Sequence, residues 1–344
     1  MRDDKINGFP LIVYYLGLFL LAVGLIILIP LVTLFFYEES REYAYCFLIP
    51  GSLSILFGYI VTFFFRGKKP MNLENNQDAV LVVLIWILAI LISSIPFLLT
   101  FKMSLTQAIF EVTSGYTTTG LTVIDVSSCP KIFLFYRSLT LFVGGVGFVL
   151  IVTSAISDKL RLNIYEAEGH NDKLLPNLAK SSRLIFLLYF GYIFLGTILY
   201  LICGMNFFDA LNHSIAALST GGFSTKVGNI YDFHSTSIEL VSMILMLLGG
   251  TNFVIHILLL KRKFKSVILH SETLFGFFLL ISFVSVAVTI MSLTGFETDN
   301  NLFMVVSFQL ISALTTTGFQ NIADINILPH FFIGMMIIFM LIGG

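Results

Sequence analysis

Seven unbroken apolar runs dominate this chain, at about 9–37, 43–65, 79–101, 131–157, 184–204, 237–260 and 272–295. Each holds about 20 residues or more, enough for an α-helix to cross ~30 Å of hydrocarbon at ~1.5 Å per residue. Charge is scarce to match. Only 11% of the 344 residues are charged and 57% are hydrophobic, whereas soluble globular domains carry about 25% charge. Nineteen Lys and Arg do not cover a water-soluble body of this size. The expected fold is an all-α polytopic membrane protein.

Other classes fall away on the same figures. Thirty-six Phe and 13 Tyr exclude intrinsic disorder. A net charge of −1, with no basic stripe outside short loops, argues against nucleic acid as a partner. An outer-membrane barrel needs segments of about 10 residues with alternating polarity, which these runs are not. Cys46, Cys129 and Cys203 are few, widely spaced and set in or beside apolar segments, so they suggest neither a disulfide framework nor a metal site. The first run follows Arg2 and Lys5, as a signal peptide would, but it far exceeds an h-region and no small-x-small cleavage site follows it. It reads as a retained transmembrane helix.

Three further runs, at about 104–116, 207–218 and 302–314, are too short to cross, and a last run occupies 331–344. Fourteen of the 19 Lys and Arg fall in the segments that place the N-terminus inside; Arg41, Lys102, Lys131, Arg137 and Lys226 do not. The three short runs then all enter from the outer side. Irregular backbone inside a membrane must be enclosed in protein or line a watery path, because lipid cannot hydrogen-bond it.

The short runs belong to an internal repeat. They end in Gly115-Tyr116-Thr117-Thr118-Thr119-Gly120-Leu121, in Ala217-Leu218-Ser219-Thr220-Gly221-Gly222-Phe223 and in Ala313-Leu314-Thr315-Thr316-Thr317-Gly318-Phe319. Gly120, Gly222 and Gly318 align, 102 and 96 residues apart. Each is followed by an apolar helix reaching a glycine pair, at Gly144-Gly145, Gly249-Gly250 and Gly343-Gly344. The unit is helix, half-helix, Thr/Gly loop, helix. The expected organisation is a two-helix N-terminal extension over 1–70, with pore repeats over 71–165, 166–265 and 266–344, the last incomplete and a fourth missing. That inference takes the chain as truncated; a shorter native protein completed by dimerisation is the alternative.

A half-helix aims the negative end of its dipole at the loop that follows it, which favours a cation. Glycine lets the loop turn its carbonyls inward without a Cβ in the way. Rings of such oxygens can replace the hydration shell of an alkali cation, as in potassium channels. The candidate ion ligands are Thr118, Thr119, Gly120 and Leu121; Thr220, Gly221, Gly222 and Phe223; and Thr316, Thr317, Gly318 and Phe319. No cofactor and no transition metal is expected beside the transported ion.

These loops, with Phe110-Glu111 before the first, Ser224-Thr225 after the second, Tyr136-Arg137-Ser138 and Gly144-Gly145-Val146-Gly147, resemble the filter regions of Trk/Ktr/HKT-type potassium transporters. The likeness covers about residues 70–344, and the two extra N-terminal helices are similar to the TrkH type. The resemblance implies potassium uptake through a selectivity filter in the bacterial plasma (inner) membrane, a homodimer, and a cytoplasmic nucleotide-binding regulatory subunit of the TrkA/KtrA kind. A sodium-permeable or ion-coupled symporter of the same superfamily and an alternating-access carrier are the alternative readings. A membrane-embedded enzyme finds no converging nucleophile, base or metal ligands.

Several polar residues carry two readings. Glu111, nine residues before Gly120, either attracts cations or ties the half-helix to a neighbour. Asp125, Asp209, Asp232, Glu239, Glu297, Asp299 and Asp324 either concentrate cations at the outer mouth or lie in solvated loops. Arg137 pairs with an acid or snorkels outward. His213 and His256 read as core or interface residues. Lys261-Arg262-Lys263-Phe264-Lys265 reads first as an orientation signal, then as a contact for a regulatory protein.

Overall fold

The computed structural model describes residues 5–66, 69–70, 77–100, 103–146, 178–296, 298 and 301–343. The 147–157 end of the fourth apolar run, Gly147, Glu297, Asp299, Gly344 and the expected boundary at 165/166 lie outside the described residues. Among those described, five helices are long and apolar enough to span a membrane: Gly8–Phe35, Glu38–Phe64, Ala79–Thr100, Leu184–Ile202 and Thr273–Leu293. Helix is the form that satisfies every backbone donor and acceptor without water. The strand structure among the described residues is a two-residue parallel pairing of β1 (Lys5–Ile6) with β2 (Lys69–Pro70).

The chain divides into two compact units: Met1–Thr117, Thr122–Ile124 and Ser128–Phe186 form one; Thr118–Leu121, Asp125–Ser127 and Leu187–Gly344 form the other. The first filter-type loop thus belongs to the second unit, although the helix that leads into it belongs to the first.

In the first unit, α1 (Gly8–Leu28) and α2 (Ala44–Phe64) pack together through glycines. A Cβ on Gly24 would lie 2.7 Å from the Gly51 carbonyl oxygen, and one on Gly58 2.7 Å from that of Gly17. Small residues let apolar helices approach this closely where no hydrophobic effect drives them together. Beyond Leu28 the chain tightens to a 3₁₀ helix over Ile29–Phe35, where Pro30 removes a backbone donor. The third apolar run is also interrupted. It forms α3 (Gln77–Ser93) and α4 (Ile95–Thr100), with Pro96 just past the join. Next come the short α5 (Leu105–Tyr116) and then α6 (Lys131–Val146). Phe47, Phe97, Phe133 and Tyr136 stack at 4.9–5.6 Å between ring centres and join α2, α4 and α6. The Tyr136 hydroxyl donates to the Ser93 carbonyl at 2.9 Å, and the Ser93 hydroxyl lies 2.9 Å from that of Tyr116.

The helix α7 (Leu178–Ile202) starts in the first unit and enters the second at Leu187; the second unit then holds the short α8 (Phe207–Leu218), α9 (Thr236–Gly249) and α10 (Phe253–Leu260). It continues with α11 (Phe264–Ile268), α12 (Ser271–Leu293), the short α13 (Leu302–Leu314) and α14 (His330–Gly343). Its core joins α12, α13 and α14 through Ala287, Met291, Val305, Leu310, Phe332 and Phe339. The outer face of α12 carries Phe275, Phe277, Phe278 and Ile281. Such a face suits lipid and not water.

One expectation needs correction. The run at 237–260 is not a single spanning helix, because it breaks between Gly249 and Phe253. Two glycines weaken the helix there. The Thr251 hydroxyl donates to the Leu248 carbonyl and sits 3.1 Å from His256 Nε2, while Tyr192 holds His256 Nδ1 at 3.1 Å. These side chains lock the break in place.

Candidate functional site: three matched half-helix loops

The short helices α5, α8 and α13 begin alike. Ser104, Asn206 and Asn301 each cap the first turn by accepting a backbone N–H, from Gln107, Asp209 and Phe303 respectively. Ser104 and Gln107 do so reciprocally, as a capping box.

The helices also end alike. The N–H of Thr220 donates to the Ala217 carbonyl and that of Gly221 to Ala216; one repeat on, Thr316 donates to Ala313 and Thr317 to Ser312. This double closure is the Schellman motif, which needs a left-handed residue just past the helix end. Thr118, Thr220 and Thr316 fill that place at φ of 54°, 50° and 54°. Glycine is the usual occupant, and a β-branched residue there is rare. Each threonine holds about 1–3 kcal/mol of strain. Two of their hydroxyls are turned onto the chain, from Thr220 to the Ser219 carbonyl and from Thr316 to the Thr315 carbonyl, both at 2.8 Å.

Two residues on, Gly120, Gly222 and Gly318 return to positive φ, at 75°, 70° and 81°. The intervening residue does not. The sign of φ thus alternates through each loop.

The three loops stand in sequence within the second unit. A Cβ on Gly120 would fall on the Gly221 carbonyl oxygen, and one on Gly222 would fall on that of Thr317. The same relation is used twice: the glycine of one loop meets the carbonyl of the residue just before the glycine of the next. No heavy atom among the described residues lies within 4 Å of that position on Gly318. Of the candidate ligands, Gly221, Gly222, Phe223, Thr317 and Phe319 are buried, Thr118, Gly120 and Thr220 half-buried, and Thr119, Leu121, Thr316 and Gly318 exposed.

The glycine pairs back the loops. A Cβ on Gly144 would strike the Tyr116 carbonyl, one on Gly249 the Leu218 carbonyl and one on Gly343 the Leu314 carbonyl. Each exit helix thus lies directly against the last residue of the half-helix before it.

Within the first unit, α5 and α6 are joined by a buried ion pair. Arg137 Nε is 2.7 Å from Glu111 Oε1, with side chains 2% and 0% exposed. Glu111 also accepts the Thr122 hydroxyl at 2.9 Å and the Val123 N–H at 3.0 Å. Of its two readings, the tie to a neighbour is the one observed. The position nine before the glycine is polar and buried in the other loops too. The His213 ring bonds the Asp209 carbonyl through Nδ1 at 2.8 Å and Ser224 Oγ through Nε2 at 2.9 Å. A carbonyl only accepts, so in the neutral ring Nδ1 carries the proton and Ser224 donates to Nε2. Gln309 donates from Nε2 to Asn321 Oδ1 at 3.0 Å. The sequence reading missed this role of His213 and Gln309. Aligning the repeats on their glycines reveals it, as a polar residue at one register of three apolar half-helices.

The acids expected at the outer mouth are largely engaged within the fold. Asp209 accepts from Thr225 at 2.6 Å and from Asn206 at 2.7 Å, with Lys226 Nζ at 3.6 Å. Glu239 is buried. Asp125, Asp232 and Asp324 accept N–H groups of their own loops.

Residues 46–344 match the family model described as TrkH, cation transport protein. The chain belongs to the TrkH family. It is 31% identical over 341 residues to an uncharacterized cation transporter of Methanocaldococcus jannaschii, covering 97% of this chain and 67% of that one. It is 34% identical over 291 residues to the Trk system potassium uptake protein TrkG of Escherichia coli, covering 79% of this chain and 57% of that protein. The chain therefore spans between half and two thirds of the length of these relatives. The crystal structure of the potassium transporter TrkH from Vibrio parahaemolyticus superposes with a TM-score of 0.79 at 25% identity, over 96% of this chain and 69% of that one. The TrkH-type family resemblance and the helical, multi-pass membrane architecture expected from the sequence are both borne out.

Proposed function

We propose that this TrkH-family chain forms part of a potassium-uptake pathway in which main-chain oxygens of the three loops take the place of the ion's water. The repeated relation of Gly120 to the Gly221 carbonyl and of Gly222 to the Thr317 carbonyl carries the reading. Loops related by one repeated step are arranged about a common axis. The proposed ligands are the carbonyls of Thr118–Leu121, Thr220–Phe223 and Thr316–Phe319. The C-terminal ends of α5, α8 and α13 add roughly half a negative charge each. An entering cation exchanges hydration for these oxygens and moves inward under the membrane potential, worth ~2.3 kcal/mol per charge per 100 mV. Nothing in this scheme forms or breaks a covalent bond, so the reading is of a transporter and not an enzyme.

The same reading places the protein in the bacterial inner membrane with a cytoplasmic N-terminus. It divides the chain after residue 70 into copies of one helix, half-helix, loop and helix unit. A second copy of the chain and a cytoplasmic nucleotide-binding regulatory subunit are the proposed partners.

Growth of a potassium-uptake-deficient bacterium on low potassium, with the natural polypeptide in its full extent supplied on a plasmid, tests the proposal. Rescue by the unaltered protein and loss of rescue by Gly120→Arg, at equal membrane abundance, is the expected result. Equal growth with both would refute the loop assignment. Sodium uptake equal to potassium uptake would favour the sodium-permeable alternative.

A further inference from the structure

We infer that Glu111, His213 and Gln309 are positioning residues that fix the opening of the three loops, and thereby the discrimination between alkali cations; the inference rests on the reading of those loops as ion ligands. Each residue stands nine positions before its loop glycine. Each is 0–1% exposed. Each reaches from the half-helix to a side chain two or three residues past the glycine: Glu111 to Thr122, His213 to Ser224 and Gln309 to Asn321. A loop pinned only where its helix ends is free to splay at its far end. With the strut in place both ends are tied to the same half-helix.

The chemistry of the strut differs in every loop: a carboxylate, an imidazole and an amide. A shared electrostatic effect on the ion is therefore not what the position supplies. What the three have in common is geometric. A rigid arch resists the small relaxation that lets carbonyl dipoles close on a smaller ion, so its stiffness bears on selectivity more than on conduction.

The test uses the natural polypeptide in its full extent in proteoliposomes, with rubidium and sodium tracers taken up separately under an imposed inside-negative potential. Gln309→Leu, Asn321→Leu and the double variant form one cycle. Ser224→Ala, a small change that removes the donor to His213, tests the second loop independently and serves if a leucine variant fails to reach the membrane. Each single variant is expected to lower the rubidium-to-sodium ratio by about tenfold, the scale of one buried hydrogen bond lost, with the double no worse than either single. A ratio that stays constant while total flux falls, or full additivity in the double, would overturn the inference and leave the loop reading intact. An unaltered protein that passes both ions alike would overturn the loop reading itself, and the inference with it.

Discussion

Gly222 is held against the carbonyl oxygen of Thr317 so closely that its missing side chain is the space the neighbouring loop occupies. Its φ of 70° adds a second demand for glycine. Either demand alone penalises a substitution, and here they coincide. Gly222→Ala is therefore expected to cost about 2–3 kcal/mol or more of stability, on the scale of overpacking plus left-handed strain. Thermal unfolding in detergent measures it, and the potassium-to-sodium uptake ratio is expected to fall with it.

Gly249 makes the same kind of contact one layer away, against the Leu218 carbonyl, but sits in a helix end with no demand on φ. Gly249→Ala is expected to lose about 1–3 kcal/mol by steric displacement alone. Gly144→Ala, against Tyr116, should behave like it. Unfolding midpoints of the two variants, compared with Gly222→Ala, separate the steric cost from the conformational one.

Glu111 and Arg137 form a pair almost wholly out of water. Removing either partner alone strands a charge and is expected to cost ~3–5 kcal/mol, whereas replacing both by apolar residues costs much less. Glu111 has further duties toward Thr122 and Val123, so Glu111→Leu should be the worse single variant. A double-mutant cycle with Arg137→Met, read as membrane abundance and unfolding midpoint, checks the ordering.

Thr316 occupies a backbone region that glycine enters without strain. Thr316→Gly is expected to relieve part of that strain, while losing the hydroxyl bond to the Thr315 carbonyl and gaining chain entropy in the unfolded state. A net change within about 1 kcal/mol of zero follows. Ion uptake, by contrast, is expected to change clearly, because the hydroxyl no longer fixes the Thr315 carbonyl. Stability and uptake measured on the same preparation test that separation.

Much of the architecture was legible in the residues. Apolar length alone marked the five long helices, and the half-helices expected at 104–116, 207–218 and 302–314 are observed at Leu105–Tyr116, Phe207–Leu218 and Leu302–Leu314. Repeat comparison aligned the loops because glycine and threonine there answer to backbone demands that recur in each copy. What escaped was local competition. The break after Gly249 was hidden because Thr251 and His256 look unremarkable in a hydropathy profile, yet their bonds make the interruption stable. Gly17, Gly24, Gly51 and Gly58 carried a readable signal, seven residues apart on each of two helices, but glycine in an apolar run does not announce its partner. The polar register nine before each loop glycine used three different side chains, so no single motif exposed it.

The central claim is that oxygens from all three loops meet one ion. Crystals of the natural polypeptide grown with rubidium and measured at its absorption edge test this most directly. The account predicts an anomalous peak in contact with carbonyl oxygens of Thr118–Leu121, Thr220–Phe223 and Thr316–Phe319 together. Transport-competent protein whose bound rubidium lies away from these loops, or touches only one of them, would contradict it.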